Sequence, residues 1–332
     1  MPIGPLVFEP YLRPMIWGGR LLEHRLGKKL PGEGSFGESW ELSAHPHHVS
    51  RVAEGPLKGM TLTELWERHR AEIAGSNIPQ DAKFPWLIKF LDCRDLLSVQ
   101  VHPDDATARQ LLGGESGKTE AWVVLEAEPD ARIYAGLKAG TTPADLAKHL
   151  DAGTVVECLH GFTPRAGDCV FLPAGTVHAV GGGVLLAEVQ QSSDATLRLF
   201  DWNRLGPDGK PRALHREAAL RSIAWPAGPV QPIQATPLPI ASHDATGEIL
   251  VQCPYFRIER HRMAGELAVP RSGQMSVWLL IEGQAELRAE DGAYRRRFEA
   301  GQTVLVPASS GPLAWRNLQD RPATALTVTL PD

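Results

Sequence analysis

Only four of the 332 residues are cysteine, at Cys93, Cys158, Cys169 and Cys253, and no two of them form a C-x-x-C pair. That spacing excludes a disulfide framework and a thiolate zinc knuckle, and leaves the thiols as small buried hydrophobes. No stretch reaches the roughly 18 apolar residues that a membrane-crossing helix requires. The opening residues, Met1 to Pro5, lack the basic and then apolar run of a secretory signal. No block of like charges occurs, and 34 Lys and Arg against 39 Asp and Glu give a net charge of −5. That balance argues against nucleic acid and against a membrane surface as partners. The expectation is a cytoplasmic protein, monomer or homodimer, acting on a small molecule.

What is present points to β structure. Hydrophobic residues make up 43% and charged residues 22%, enough to bury a sizeable core. The length allows about two domains at roughly 150 residues each. The 32 glycines and 27 prolines are scattered among short runs of Val, Ile, Leu and Phe, the pattern of many short strands joined by tight turns. Strands are predicted at 132–134, 169–172, 184–190, 276–281 and 303–306, and helices at 61–73, 106–112, 143–150 and 213–223. Pro226, Pro229, Pro232, Pro237 and Pro239 crowd one short stretch. This predicts a unit at 1–225, a Pro-rich linker at 226–240 and a smaller unit at 241–332. A weak repeat supports the division: Gly167, Pro173 and Gly175 match Gly301, Pro307 and Ser309 in spacing, each set framing a short apolar strand. The second copy has no histidine after its second turn, so any metal belongs to the first.

In the first copy His178 follows Gly175 by three residues, and the frame Gly167, Pro173, Gly175, His178 resembles the second half-motif of the cupins, double-sheet jelly rolls with room for a small ligand. Upstream, Ser98, Gln100 and His102 alternate with Val99 and Val101, so the polar side chains share one strand face. Polar residues on one face line a cavity. Lys118 and Glu120 share a face in the same way. Gln100, His102, Glu120 and His178 together supply two imidazoles, a carboxylate and an amide oxygen. Such a set suits one Zn2+ per chain, and Mn2+, Co2+ or Fe2+ less selectively.

With these segments taken together, the chain resembles the type I mannose-6-phosphate isomerases (phosphomannose isomerases) of the short bacterial form over essentially its whole length. The resemblance rests on Trp17 to Gly19, Gly37 to Ser43, Pro85 to Lys89, Leu97 to Pro103, Gly117 to Glu120, the cupin segment ending at His178, and Glu188 to Arg198. It implies a mainly β fold: a cupin jelly-roll barrel with helical insertions, plus a smaller C-terminal degenerate cupin-like unit. It implies interconversion of D-mannose 6-phosphate and D-fructose 6-phosphate through an enediolate, with zinc on Gln100, His102, Glu120 and His178. Arg198 falls at the reacting end of the sugar, and Lys118, Glu188 and Asp194 among the catalytic groups. Ser98, Lys118, Arg204 and Trp17 fall among the substrate-binding ones. Longer members carry a histidine just before the lysine, where this chain has Gly117, so that base is missing here. They also carry a phosphate-binding lysine six residues past the arginine, where Arg204 stands in with a fork of donors suited to phosphate.

An aldose to ketose interconversion moves a proton between adjacent carbons, so it needs an acid/base and something to hold negative oxygen. Arg198 and the metal serve the second need. The base stays open among Glu188, Asp194, Lys118 and a metal-bound water. Trp17 either packs the barrel mouth or stacks on a sugar face. The run Ala44 to His48 reads as a surface loop despite its three histidines, and Phe200 and Trp202 read as a strand carrying Arg198 and Arg204. The alternative readings are a sugar-phosphate-sensing cupin without activity, an isomerase of another sugar phosphate, and an Fe2+ oxygenase, which Gln100 disfavours.

Overall fold

The structure, a computed structural model, describes residues 3–75, 78–79, 82–206 and 209–331. Antiparallel strands dominate it. A six-stranded sheet runs in the order Tyr11–Gly19, Phe36–Leu42, Trp86–Cys93, Val184–Gln191, Glu120–Ala127, Cys169–Leu172. A five-stranded sheet, in the order Leu197–Phe200, Val99–Val101, His178–Gly181, Arg132–Leu137, Leu159–Phe162, packs against it. Trp17, Leu91, Trp122 and Leu186 from the first sheet meet Ile133, Ala135 and Val180 from the second in one buried cluster. The result is a sandwich whose inner faces alternate apolar residues with the polar ones noted above.

The C-terminal third builds a second sandwich in the same way. Its six-stranded sheet runs Thr236–Leu238, Ala245–Gln252, Arg257–Met263, Ala323–Thr329, Ser276–Glu282, Thr303–Val306, and its four-stranded sheet Glu266–Ala268, Leu313–Asn317, Gln284–Ala289, Arg295–Glu299. The two six-stranded sheets face each other back to back. Trp86, Ile88, Phe90 and Val189 on one side share a core with Ile258, Val277, Leu279 and Val328 on the other. A strand buried on both faces should read as a nearly unbroken apolar run, and Ser276–Glu282 does, while Trp86–Cys93 does so except at Lys89 and Asp92. The helix Leu62–Ala74 closes this shared core with Leu62, Leu65, Trp66 and Ile73. It starts on a full capping box between Thr61 and Glu64. At the far end of the chain's path the N-terminal residues cross over too, where Leu6 bridges Leu305.

The predicted strands and helices fall where the sequence places them, with no end moved by more than three residues. The other α-helices are Leu21–His24, Asp105–Leu111, Pro143–Ala152 and Arg216–Ser222. All four cysteines are buried and free. Two expectations need correction. The strand beyond Arg198 stops at Phe200, because Trp202 and Asn203 turn into the left-handed region at φ 56° and 54°. The run Ala44 to His48 is a small hairpin whose tip, Pro46 and His47, is at the surface as expected, but His45 is buried, with Nε2 3.1 Å from Glu115 Oε1. The run carries no apolar alternation, so the burial of His45 depends on a distant acidic partner that local pattern does not reveal. No helix among the described residues is long and apolar enough to cross a membrane.

Candidate active site

Four strands bring the site together inside the first sandwich. His178 opens its strand directly after the turn at Gly175, which has φ +87°, and a Cβ there would lie 2.7 Å from Ala224 Cβ. Only glycine fits that turn, and the turn aims the imidazole inward. His178 pairs with Gln100 across the five-stranded sheet. From the facing sheet, Glu120 sits beside Gln190, and Trp122 beside Glu188, on adjacent strands. Two-residue alternation thus puts Glu120 and Trp122 on one strand's inner face and Glu188 and Gln190 on the next.

The ligand atoms of His102, Glu120 and His178 all lie within 4.8 Å of one another, and all three residues are buried. Glu120 Oε2 is 3.4 Å from His102 Nε2, and Oε1 is 3.4 Å from His178 Nε2. Nδ1 of His178 donates to the Thr176 carbonyl at 2.8 Å, which fixes its lone pair on Nε2 facing the cluster. Gln100 closes the set, its Nε2 3.2 Å from His178 Nε2. A half turn of that amide would present its oxygen instead. Lys118 Nζ lies 2.6 Å from Glu120 Oε2 and 3.1 Å from His102 Nε2. A cation therefore already fits among these donors. Apart from that ion pair, neither Glu120 oxygen has a hydrogen-bond partner, and His102 Nδ1 has none either. Two imidazoles and a buried carboxylate converging with spare lone pairs are the donor set of a divalent transition metal.

Electrostatics keep these donors in the binding form. Burial, aided by the Lys118 charge, pushes His102 down to about 3, and burial lowers His178, so both rings stay neutral. Burial alone would raise the Glu120 carboxyl, but the Lys118 charge outweighs it and holds the group well below the ordinary range. Glu188 is raised by burial, which Lys118 only partly offsets. Its Oε2 accepts from Trp122 Nε1 at 2.9 Å, while Oε1 has no hydrogen bond and lies 3.3 Å from Lys89 Nζ and 3.9 Å from Lys118 Nζ.

A narrow cavity of about 80 Å³ opens over this cluster, with Trp17, Ser98, Gln100, Lys118, Glu188, Asp194 and Arg198 in its wall. Asp194 Oδ2 is taken by His47 Nδ1 at 2.9 Å, with Arg13 at 3.7 Å. Burial would raise Asp194, yet Lys89, His47 and Arg13 together hold it low. Arg198 donates from Nε to Ser98 Oγ at 3.2 Å and from one terminal nitrogen to the Ala213 carbonyl at 2.9 Å. Arg204 lies outside this wall: it donates to the Leu96 carbonyl and holds Asp201 at 2.7 Å. Arg212 takes its place in the wall, anchored on Asp201 by Nε at 2.7 Å. Sequence reading missed Arg212, which arrives from a connection carrying no motif. It also missed Lys89, Glu38 and Thr196, although all three sit inside segments already singled out. Gly117 is packed so tightly that a Cβ would lie 2.4 Å from the Asp105 amide nitrogen. No side chain fits there without moving the Asp105–Leu111 helix.

A sequence profile described as "Phosphomannose isomerase type I, catalytic domain" matches residues 6–123. The chain is 35% identical to mannose-6-phosphate isomerase ManA of Bacillus subtilis (strain 168) over 314 residues, 94% of this chain and 95% of that protein. It is 34% identical to the mannose-6-phosphate isomerase of Streptococcus mutans over 303 residues, 91% of this chain and 92% of that one. Among solved structures, the mannose 6-phosphate isomerase from Bacillus subtilis superposes with a TM-score of 0.89 at 32% identity, covering 98% of this chain and 99% of that chain.

Proposed function

The chain belongs to the type I phosphomannose isomerases, with the cupin fold of that family, and on this premise we propose that it interconverts D-mannose 6-phosphate and D-fructose 6-phosphate through an enediolate. We assign the reaction to the unit at 1–225, with the unit at 241–332 bracing it through the shared core. The observation that carries this reading is the buried convergence of His102, Glu120 and His178 beneath a cavity walled by Lys118, Arg198 and Arg212. Gln100, His102, Glu120 and His178 would hold one divalent ion, zinc by donor set, which as a Lewis acid polarises the oxygens on the two carbons that exchange a proton.

The protein's own groups supply the rest. At about 80 Å³ the cavity is smaller than the roughly 300–1,000 Å³ of ligand pockets, so only the reacting end of the sugar enters it. The phosphate then stays at the solvent side, where the partly exposed Arg212 stands. Glu188 is the fitting base: its Oε1 is buried without a hydrogen-bond donor, whereas Asp194 is held by His47 and Lys118 is paired to Glu120. Lys118 and Lys89 face that carboxylate and favour its ionised form, offsetting part of the cost of burial before it takes the proton. Arg198, locked by Ser98 and the Ala213 carbonyl, holds developing negative charge on oxygen without reorganising. Ser98 and Trp17 shape the wall around the sugar.

The test is fructose 6-phosphate formation from mannose 6-phosphate by purified protein, before and after chelation and after Zn2+ is returned. Activity should vanish and come back. No turnover by the zinc-loaded protein would overturn the isomerase reading and leave a sugar-phosphate-binding protein.

A further inference from the structure

The second sandwich repeats the first one's pairing plan closely enough to be read residue against residue. In the first, Leu172 pairs with Glu120 and Val170 with Trp122. In the second, where Gly301 to Pro307 repeats Gly167 to Pro173, Val306 pairs with Ser276 and Val304 with Trp278. One strand further in, Gln190 and Glu188 lie beside Glu120 and Trp122, as Thr329 and Thr327 lie beside Ser276 and Trp278. Beyond that, Lys89 pairs with Glu188 and Glu259 with Thr327. Trp278 thus stands where Trp122 does, Ser276 where Glu120 does, Thr327 where Glu188 does and Glu259 where Lys89 does. The tryptophan is kept and the metal-binding carboxylate is not.

A cavity of about 510 Å³ opens at this place, well inside the size range of ligand pockets and far larger than the one over the candidate metal centre. Arg257, Glu259 and His261 project into its wall from alternate positions of one strand. Arg257 Nε donates to Glu259 Oε1 at 2.7 Å, and His261 Nε2 lies 3.1 Å from Glu259 Oε2. His261 and Thr327 are buried wall residues, 1% and 3% exposed, yet His261 Nδ1 and Thr327 Oγ1 have no hydrogen-bond partner. A core that leaves two polar atoms unpaired beside a cavity is shaped for something with hydroxyls. Leu238, Pro239 and Ile240, from the Pro-rich segment, supply apolar wall to the same cavity. That segment is more than a tether: Thr236–Leu238 pairs as an edge strand and carries the next residues into the cavity wall.

The charges decide between ligands. Arg257 and Glu259 neutralise each other, so the cavity offers no excess positive charge for a phosphate. With Ser276 in place of a carboxylate it also lacks a metal set, and among the described residues the one cluster able to hold a metal lies in the first sandwich. Hydroxyl-seeking groups beside apolar wall match a molecule with polar edges and C–H faces. We propose that the second sandwich binds an uncharged carbohydrate, a monosaccharide or polyol, in this cavity, at the position that corresponds to the catalytic cavity of the first.

Calorimetric titration of the full chain with D-mannose, D-glucose and D-glucitol tests this, using wild type, His178→Ala and Thr327→Val. At least one of the three should bind wild type and His178→Ala alike, and Thr327→Val should weaken it by about tenfold, the loss of one hydrogen bond at a buried site. Thr327→Val replaces an unpaired hydroxyl with a methyl of the same shape, so Tm should hold or rise and isomerase kcat/KM should not change. Thr329→Leu, which fills the cavity from a less buried position, should abolish binding. Binding unchanged by both cavity variants, binding abolished by His178→Ala, or no binding of any of the three up to tens of millimolar would each overturn the proposal.

Discussion

Arg212→Ala separates the geometry from the sequence motif most sharply, because the motif points to Arg204 and the fold presents Arg212. Two of the five N–H donors of Arg212 are spent on Asp201, at 2.7 and 2.5 Å, which holds the guanidinium in the wall with its other donors free for a ligand. A charge-assisted hydrogen bond is worth about 1.5–3 kcal/mol. The side chain is 22% exposed, so solvent screening favours the lower end, and two such bonds to a phosphate dianion sum to about 3 kcal/mol. At 1.4 kcal/mol per factor of ten, Arg212→Ala should lower kcat/KM for mannose 6-phosphate by roughly 100-fold, mostly through KM. Arg212→Lys should recover part of the loss, keeping the charge without the fork. Arg204→Ala should change kcat/KM by less than about threefold, because Arg204 spends its donors on Asp201 and the Leu96 carbonyl. A coupled assay of fructose 6-phosphate formation measures all three. An Arg212→Ala enzyme within a few-fold of wild type, or a larger loss in Arg204→Ala, would refute the assignment.

Other expectations follow from the same contacts. His178→Ala should lose bound metal by elemental analysis, and activity with it, while far-UV circular dichroism stays unchanged; full retained activity would sink the ligand assignment. Lys28 and Glu41 form a buried pair at 2.7 Å, and Lys28 also holds the Gly301 carbonyl of the second sandwich. Lys28→Met should therefore cost about 3–5 kcal/mol in denaturant unfolding, and adding Glu41→Leu should restore most of it, an outcome that equal stability of single and double variants would contradict. Burial raises the Asp201 carboxyl, but hydrogen bonds from Arg212 and Arg204 outweigh it and leave the group below its ordinary 3.8. A depressed carboxyl stabilises the fold above its ordinary value and loses that contribution as the pH falls through the depressed one. The stability gap between wild type and Asp201→Asn should accordingly be open at neutral pH and close in acid below about 4; a gap that widens in acid would show the sign to be wrong. Burial pushes the Cys169 thiol up to about 12, and all four cysteines are buried, so a thiol reagent should count none in the native protein and four after denaturation.

Local sequence determined the strands, the turns and the side chains that meet at the candidate metal centre. Strand alternation at Ser98 to His102 and at Lys118 to Glu120 put the right side chains on common faces, and the glycine, proline and histidine spacing before His178 fixed a turn that only one backbone geometry satisfies. These are short-range constraints, set by side-chain period and by φ, so they are legible residue by residue. The pairing of sheets was not. That Glu188 faces Lys118 and Lys89, that His47 reaches Asp194, and that Arg212 rather than Arg204 enters the cavity wall all depend on where distant strands and loops come to rest. The left-handed turn at Trp202 and Asn203 swings Arg204 away from the strand line that its spacing from Arg198 implied. The same holds for the second sandwich: its repeat was visible in two segments, but the cavity beside Trp278 exists only because register brings Thr327, Ser276 and Glu259 to one face. Such contacts join residues tens to hundreds of positions apart, and burial and electrostatic pairing across that separation are settled by tertiary packing alone.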